Sequence, residues 1–311
     1  MKNNIVILIV LIFFWVNIYS DDNGGYAGDF LRTGLGARSL AMGNTGVAGP
    51  VSAYSNYYNP ALLSQLTNRK VGLSYRFMSL DRRFGTISFS SRIPPGAGFA
   101  VNWVESGINN IKAYNSIGEE TGDIHNAQNA IYFSFGRNFG SKFAVGISAK
   151  YLLAYINDGT DEFDWKGSGF GFDVGLHYLY SENFAVGYQI RDINARYRAN
   201  TTDIFEHGGT TDDAFPIIQR IGVFYRSPLQ WLRAAYEIEK STKDDGQHHL
   251  GFEALYGSNL AVRAGYNGKT VTFGAGMDFN FLGTVSFLDY VFLPSIIDEG
   301  SSHVFSWQIG F

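Results

Sequence analysis

From about Arg69 to its last residue, this chain alternates large apolar side chains with small or polar ones and hardly stops. Clear runs are Val71-Leu73-Tyr75-Phe77, Phe143-Val145-Ile147, Phe184-Val186-Tyr188-Ile190 and Val271-Phe273-Ala275-Met277-Phe279. A period of two places the members of each run on one face of a strand. The final run sets Phe305, Trp307, Ile309 and Phe311 against Val304, Ser306, Gln308 and Gly310. Alone it would also suit the last strand of a soluble sandwich. Repeated about fourteen times, with weaker copies near 84–93, 215–225 and 285–293, it suits a membrane barrel better, whose large face meets lipid and small face lines a lumen. The expected fold is all-β, a transmembrane antiparallel β-barrel of about fourteen strands, an even number as such barrels prefer. Residues 67–311 allow about 17 positions per strand and connector, and a tilted spanning strand needs about 9–11 of them.

Composition agrees. The chain holds 26 Phe, 19 Tyr, 5 Trp and 37 Gly. Aromatics favour strands and membrane interfaces. Glycine weakens an ordinary strand, but on the inner wall of a barrel it makes room for whatever fills the lumen. After the N-terminus no stretch approaches the apolar length of a helical span. There is no cysteine, so stability must come from closed hydrogen bonding and packing rather than disulfides. A net charge of −4 offers no basic patch for nucleic acid. Residues 1–20 have the layout of a secretory signal peptide: a lysine, an apolar run over 5–18 broken only by Asn17, a small residue at Ser20, then Asp21-Asp22. That run is short for a spanning anchor of roughly 20 residues, so cleavage after Ser20 and export are expected. A last strand ending on phenylalanine resembles the signal by which the barrel-assembly machinery selects its clients. That makes this machinery an expected partner, alongside outer-membrane lipid.

Two parts follow in the mature chain: a Gly-rich segment without sustained period over 21–66, and the barrel over 67–311. Connectors alternate in length. Those at 138–142, 181–183 and 257–259 are short and rich in Gly, Ser and Asn, chemistry suited to hairpins. Those at 105–128, 155–167 and 194–214 read as long polar loops, placed outside the cell by the usual asymmetry. Their acidic residues Glu119, Glu120, Asp158, Asp161, Glu162, Asp212 and Asp213 fit no calcium-loop spacing and read as solvated.

The face opposite the apolar stripe carries Arg76, Lys150, Asp173, Arg191, Arg220, Arg233, Glu237, Glu253, Arg263, Asp278 and Asp289. An arginine or lysine facing lipid at mid-depth would cost roughly 2–4 kcal/mol, so these should point inward. Six cations nearly balance five anions, unlike the single-sign rings of an ion-selective pore. Balance suggests pairing across the lumen, either tying down a plug or forming a purely structural network.

Catalysis finds no support. The six histidines show no metal-ligand spacing, no Gly-x-Ser-x-Gly elbow is present, and Gly34-Leu-Gly36 lacks the strand and helix of a nucleotide site. No enzyme activity, metal or cofactor is expected. Instead, Asn59 before Pro60 is barred from helical geometry, and the pair reads as a turn leading into the first strand.

The segment over 35–63 resembles the start of the mature PorV/PorQ family and, more distantly, the N-terminal hatch of the fatty-acid transporter FadL. The resemblance rests on Ala37-Arg38, Met42-Gly43 and Asn59-Pro60-Ala61, followed in order by Asp173-Val-Gly-Leu176, Gly251-Phe-Glu253, Arg263-Ala-Gly-Tyr266, Phe273-Gly-Ala-Gly276 and Asp289-Tyr290. It implies a FadL-like barrel of fourteen strands, closed by its N-terminal segment, in the bacterial outer membrane. For function it implies an accessory of protein export beside a secretion translocon and its cargo. The alternatives are FadL-like passage of a hydrophobic ligand such as a fatty acid, or a non-transporting structural barrel.

Overall fold

The apolar runs become strands one for one. A computed structural model describes residues 25–158, 164–202, 207–295 and 300–311. The expected leader over 1–20 lies outside the described residues, as do Asp161 and Glu162. The strands are β1 (Lys70–Phe77), β2 (Arg82–Ile93), β3 (Ala97–Tyr114), β4 (Glu120–Phe139), β5 (Phe143–Asn157), β6 (Asp164–Ser181), β7 (Phe184–Ile193), β8 (Arg196–Asn200), β9 (Thr210–Ala214), β10 (Ile218–Arg226), β11 (Leu232–Ser241), β12 (Asp244–Tyr256), β13 (Leu260–Tyr266), β14 (Val271–Phe281), β15 (Thr284–Leu293) and β16 (Ser302–Gly310). Fourteen of them form a closed antiparallel barrel, in which β7 pairs with β10 and β16 returns to β1. β8 and β9 stand apart as a hairpin whose ladder pairing with the wall, among the described residues, is to β6.

Closure runs to the end of the chain. Val71, Leu73, Tyr75 and Phe77 lie opposite Ile309, Trp307, Phe305 and His303. Beyond the Val71–Ile309 end of the seam, the amides of Arg69 and Phe311 each donate to the other's carbonyl at 3.0 Å. The fourteen wall strands therefore pair all the way round with no free edge, as a hydrocarbon surround requires. The alternation sorts β16 cleanly. Val304, Ser306, Gln308 and Gly310 are buried, whereas Phe305 and Phe311 are exposed and Trp307 and Ile309 half-buried.

Strand count being even, both barrel termini share one rim. By the rule of short periplasmic turns this rim is periplasmic, and the opposite one is outer. The long connectors of the outer rim are a correction to the sequence reading. Most of 105–128 is strand: β3 and β4 continue as an arm past the last β2 pair, Arg82 with Ile108. On that arm Lys112 meets Glu120 and Asp123 at 2.8 Å each, and its hydrogen bond holds the Asp123 carboxyl below its ordinary range. β5 and β6 narrow 155–167 to a short connection, and 194–214 contains the β8–β9 hairpin. Polar strands standing in water have no lipid face to enforce alternation, so the period that reveals a spanning strand is missing.

Ile147 is 58% exposed near the middle of the outward row of β5. Ile147→Arg is expected to destabilise the barrel by about 2–4 kcal/mol, read from urea unfolding in lipid vesicles. The same change at Phe143, beside the rim, should cost clearly less.

Candidate functional site

The lumen is occupied by the chain's own N-terminal segment. It carries a 3-10 turn (Asp29–Arg32), a helical turn (Ala37–Ala41), a second (Ser55–Tyr58) and a 3-10 stretch (Pro60–Gln65). Nearly every residue between Leu35 and Ser64 is buried, although no single element there is long enough to hold itself. What holds the segment is the wall. Strand glycines give the backbone room: a Cβ on Gly146 would sit 2.2 Å from the Pro60 carbonyl carbon, and one on Gly187 2.1 Å from the Val47 oxygen. Inward polar side chains then satisfy the segment's backbone, which buried amides require. Ala37 N donates to Ser306 Oγ at 2.7 Å, Ala53 N to Gln308 Oε1 at 2.8 Å, and Thr272 Oγ1 to the Ala41 carbonyl at 3.2 Å.

Each residue of the segment's sequence motif has an identifiable contact. Asn59 is fully buried; its Oδ1 caps the following 3-10 stretch by accepting from Ala61 N, and its Nδ2 donates to the carbonyls of Val47 (2.7 Å) and Leu176 (2.9 Å). One side chain thus ties two passes of the segment to β6. Pro60 and Ala61 lie against Gly146. Met42 packs with Ala48, Phe224 and Ala235. Gly43 has φ +70°, and a side chain there would collide with the carbonyls of Tyr266 and Leu250. Tyr58 closes a loop of the segment on itself, donating from its hydroxyl to Leu35 O at 2.8 Å while accepting from Leu35 N at 3.0 Å.

Three ionic clusters reinforce this packing. Toward the periplasmic rim, Glu253 is fully buried and receives three guanidinium groups: Arg38 in a two-point contact at 2.7 and 2.9 Å, Arg263 at 2.7 Å and Arg233 at 2.8 Å. Arg263 also reaches Asp289 at 2.7 Å. Arg38 belongs to the segment and the other four to the wall, so the cluster latches one to the other. Nearer the outer rim, Glu237 Oε1 accepts from the amides of Gly46 (2.6 Å) and Val47 (2.7 Å). Beside it Arg220 pairs with Glu239 and donates to the Asn44 carbonyl at 3.0 Å, and His249 donates from Nδ1 to the Gly43 carbonyl at 2.9 Å. In the third cluster Lys150 bridges Asp173 (2.7 Å) and Asp192. Arg191 donates to the Leu31 carbonyl at 3.0 Å and lies over the Tyr57 ring. Arg76 adds a separate contact, donating to the Thr33 carbonyl at 2.8 Å.

Of the eleven charges picked out in the sequence, Arg76, Lys150, Asp173, Arg191, Arg220, Glu237, Glu253, Arg263 and Asp289 are buried in the lumen. Arg233 and Asp278 are partly exposed at the periplasmic mouth. Four participants were missed. Glu239 and His249 share the inward parity of their strands, so alternation alone would have found them. His177, which accepts from Gln65 and donates to the Ala48 carbonyl, is the same case. Asp192 is different: strict alternation turns it outward, but its φ of +63° beside a register shift in the β6–β7 pairing brings it inward next to Arg191.

A cavity of about 250 Å³ opens at the periplasmic mouth, walled by Arg38, Lys70, Arg233, Glu253 and Asp278. Most of its lining is polar or charged, with Val51, Leu255, Leu260 and Phe287 as its large apolar side chains, so water and charged groups suit it better than an apolar ligand. Among the described residues no cluster of side chains is arranged to hold a metal ion. The chemistry this arrangement supports is latching: a folded segment held inside a closed wall by shape, amide hydrogen bonds and charge.

Comparison with known proteins agrees with this geometry. A family model described as Type IX secretion system protein PorV matches residues 25–209. No curated protein matches the chain in sequence. Among solved structures, the toluene transporter TodX of Pseudomonas putida superposes with a TM-score of 0.61 at 14% identity, over 89% of this chain and 97% of TodX. A TodX deltaS2S3 mutant, described as a monoaromatic hydrocarbon channel, gives 0.63 at 14% identity over 89% and 98% of the two chains. A FadL homologue of Pseudomonas aeruginosa gives 0.59 at 11% identity over 88% and 97%. At these identities the likeness is one of fold: a FadL-like outer-membrane barrel.

Proposed function

The chain belongs to the PorV family of Type IX secretion system proteins, and from that premise we propose that it is an outer-membrane accessory of protein export, acting by binding a translocon or its cargo rather than by catalysis. The observation that carries this reading is the latched lumen. A barrel whose interior is filled from Leu35 to Ser64 and pinned by three ionic clusters is poorly suited to be a conduit. On one side of the wall β1, β2 and β3 keep continuous register from Lys70 to Ile108 and leave no gap between them. Function then falls to the outer rim and the lipid-facing belt, where other proteins can reach it.

Passage of a hydrophobic ligand is the second reading, supported by the shared fold with TodX and the FadL homologue. The ionic lining of the periplasmic mouth weighs against it.

The discriminating experiment is affinity capture of the tagged protein from cross-linked outer membranes, with the secreted proteome of a deletion strain measured in parallel. Export predicts capture of a large outer-membrane translocon component or of secreted proteins, and loss of several proteins from the medium on deletion. A barrel that captures neither, leaves the medium unchanged and retains fatty acid through purification would overturn the export role in favour of transport.

A further inference from the structure

The outward face over β16, β1, β2 and β3 departs from the smooth apolar belt. Gly85 sits on the outward row of β2, flanked in register by Tyr75 of β1 and Glu105 of β3. Without a side chain there, the wall has a hollow of about 360 Å³ among Leu73, Ile87, Trp103, Leu288, Phe305 and Trp307. That volume lies within the ordinary range of small-molecule sites, about 300–1,000 Å³. The indole N–H of Trp307 is enclosed with no hydrogen-bond partner among the described residues.

Two residues nearer the outer rim stands Arg83, also outward. It lines this hollow and a second, polar one of about 330 Å³ that it shares with Asn109, His125, Asn157, Asp164 and Lys166. Arg83 Nε donates to Glu105 Oε1 at 3.0 Å, and its Nη1 to Asn109 Oδ1. Lys166 pairs with Asp164. An apolar hollow therefore adjoins a polar one, with a guanidinium common to both; across the two, Arg83 and Lys166 stand beside Glu105 on the apolar side and Asp164 on the polar side.

We propose that these joined hollows are a specific site for a zwitterionic phospholipid. One acyl chain lies over Gly85 between Ile87, Trp103 and Phe305. The phosphate meets Arg83 and Lys166, and the headgroup ammonium meets Glu105 and Asp164. Charge complementarity selects this occupant. The balanced pairs favour a headgroup carrying both signs over a purely anionic one, and the apolar hollow lies in a belt whose solvent is lipid. The site is independent of the export role, because it requires only that the barrel stand in a membrane.

The test uses the mature chain in detergent micelles, titrated with phosphatidylethanolamine carrying brominated acyl chains, with tryptophan fluorescence as the readout. The expected result is saturable quenching, relieved by unbrominated phosphatidylethanolamine and lost in large part with Trp103→Phe. Gly85→Leu should weaken the saturable phase about tenfold. The fold should survive, since the nearest atoms to a Cβ at Gly85 are 3.7 and 3.8 Å away, and heat-modifiable gel migration verifies it. Arg83→Gln should weaken phosphatidylethanolamine about fivefold, the scale of one charged hydrogen bond, and leave brominated diacylglycerol unchanged. Linear quenching identical in all variants would mean annular contact only and overturn the site. Saturable quenching that Gly85→Leu leaves intact overturns its location, and stronger competition by phosphatidylglycerol than by phosphatidylethanolamine overturns the headgroup assignment.

Discussion

Glu253→Gln is expected to be among the most damaging single changes in this protein, costing about 3–5 kcal/mol, the range for removing one partner from a buried ion cluster. The carboxylate holds Arg38, Arg233 and Arg263 together. Neutralised, it leaves Arg263 with Asp289 but strips Arg38 of the carboxylate it pairs with, and a guanidinium so placed is driven toward water. Because Arg38 is the segment's contribution, the expected response is release of the segment at the periplasmic mouth, not collapse of the wall. Urea unfolding in vesicles should shift to lower midpoint, and planar bilayers should record ion conductance that the wild type lacks. Arg38→Gln separates the two effects: it removes only the segment's half of the latch, so it should open conductance with a smaller loss of stability. Wild-type conductance and midpoint in both variants would show that the cluster does not hold the segment.

Gly146→Leu attacks the same packing by shape alone. The new side chain would overlap backbone atoms of Pro60 and Ala61 at 2.2 and 2.3 Å, and backbone cannot swing aside as a flexible side chain can. Overpacking of this kind costs about 1–3 kcal/mol and more where nothing yields. The outward row of β5 is untouched, so the barrel should still assemble and migrate as heat-modifiable. The segment should be displaced, exposing Arg32 and Arg38 to trypsin in detergent solution. Gly85→Leu, which points away from the lumen into the outward hollow, is the matched control and should leave both arginines protected. Protection retained in Gly146→Leu would refute the close fit of segment and wall.

The barrel was legible because its signal is local and repeated. Each strand from β1 to β16, the β8–β9 hairpin excepted, announces itself through a lipid face, and the even count follows from adding them. Parity also reached most of the lumen: Glu253 and Arg263 must face inward whatever they touch. Their partners were not legible, because Arg38 and Glu253 are 215 residues apart and meet only when the segment is folded into the closed wall. Arg83 and Glu105 ran the other way. They face outward, against the expectation that charge avoids the lipid face, and remain there because they pair with each other close to the outer rim. The arm of β3 and β4 escaped detection for the reason that polar strands in water carry no alternation.

What the sequence determined by itself is the wall: its strands, its two faces, its closure on the last strand and the inward aim of the charges on its small-residue face. All of these follow from a period of two and from the cost of placing charge in hydrocarbon. What only the tertiary structure decided is the interior. Which glycine admits which turn of the segment, which guanidinium reaches Glu253, and where a bulge turns Asp192 inward depend on distances across a lumen. Those distances exist only once β16 has closed on β1.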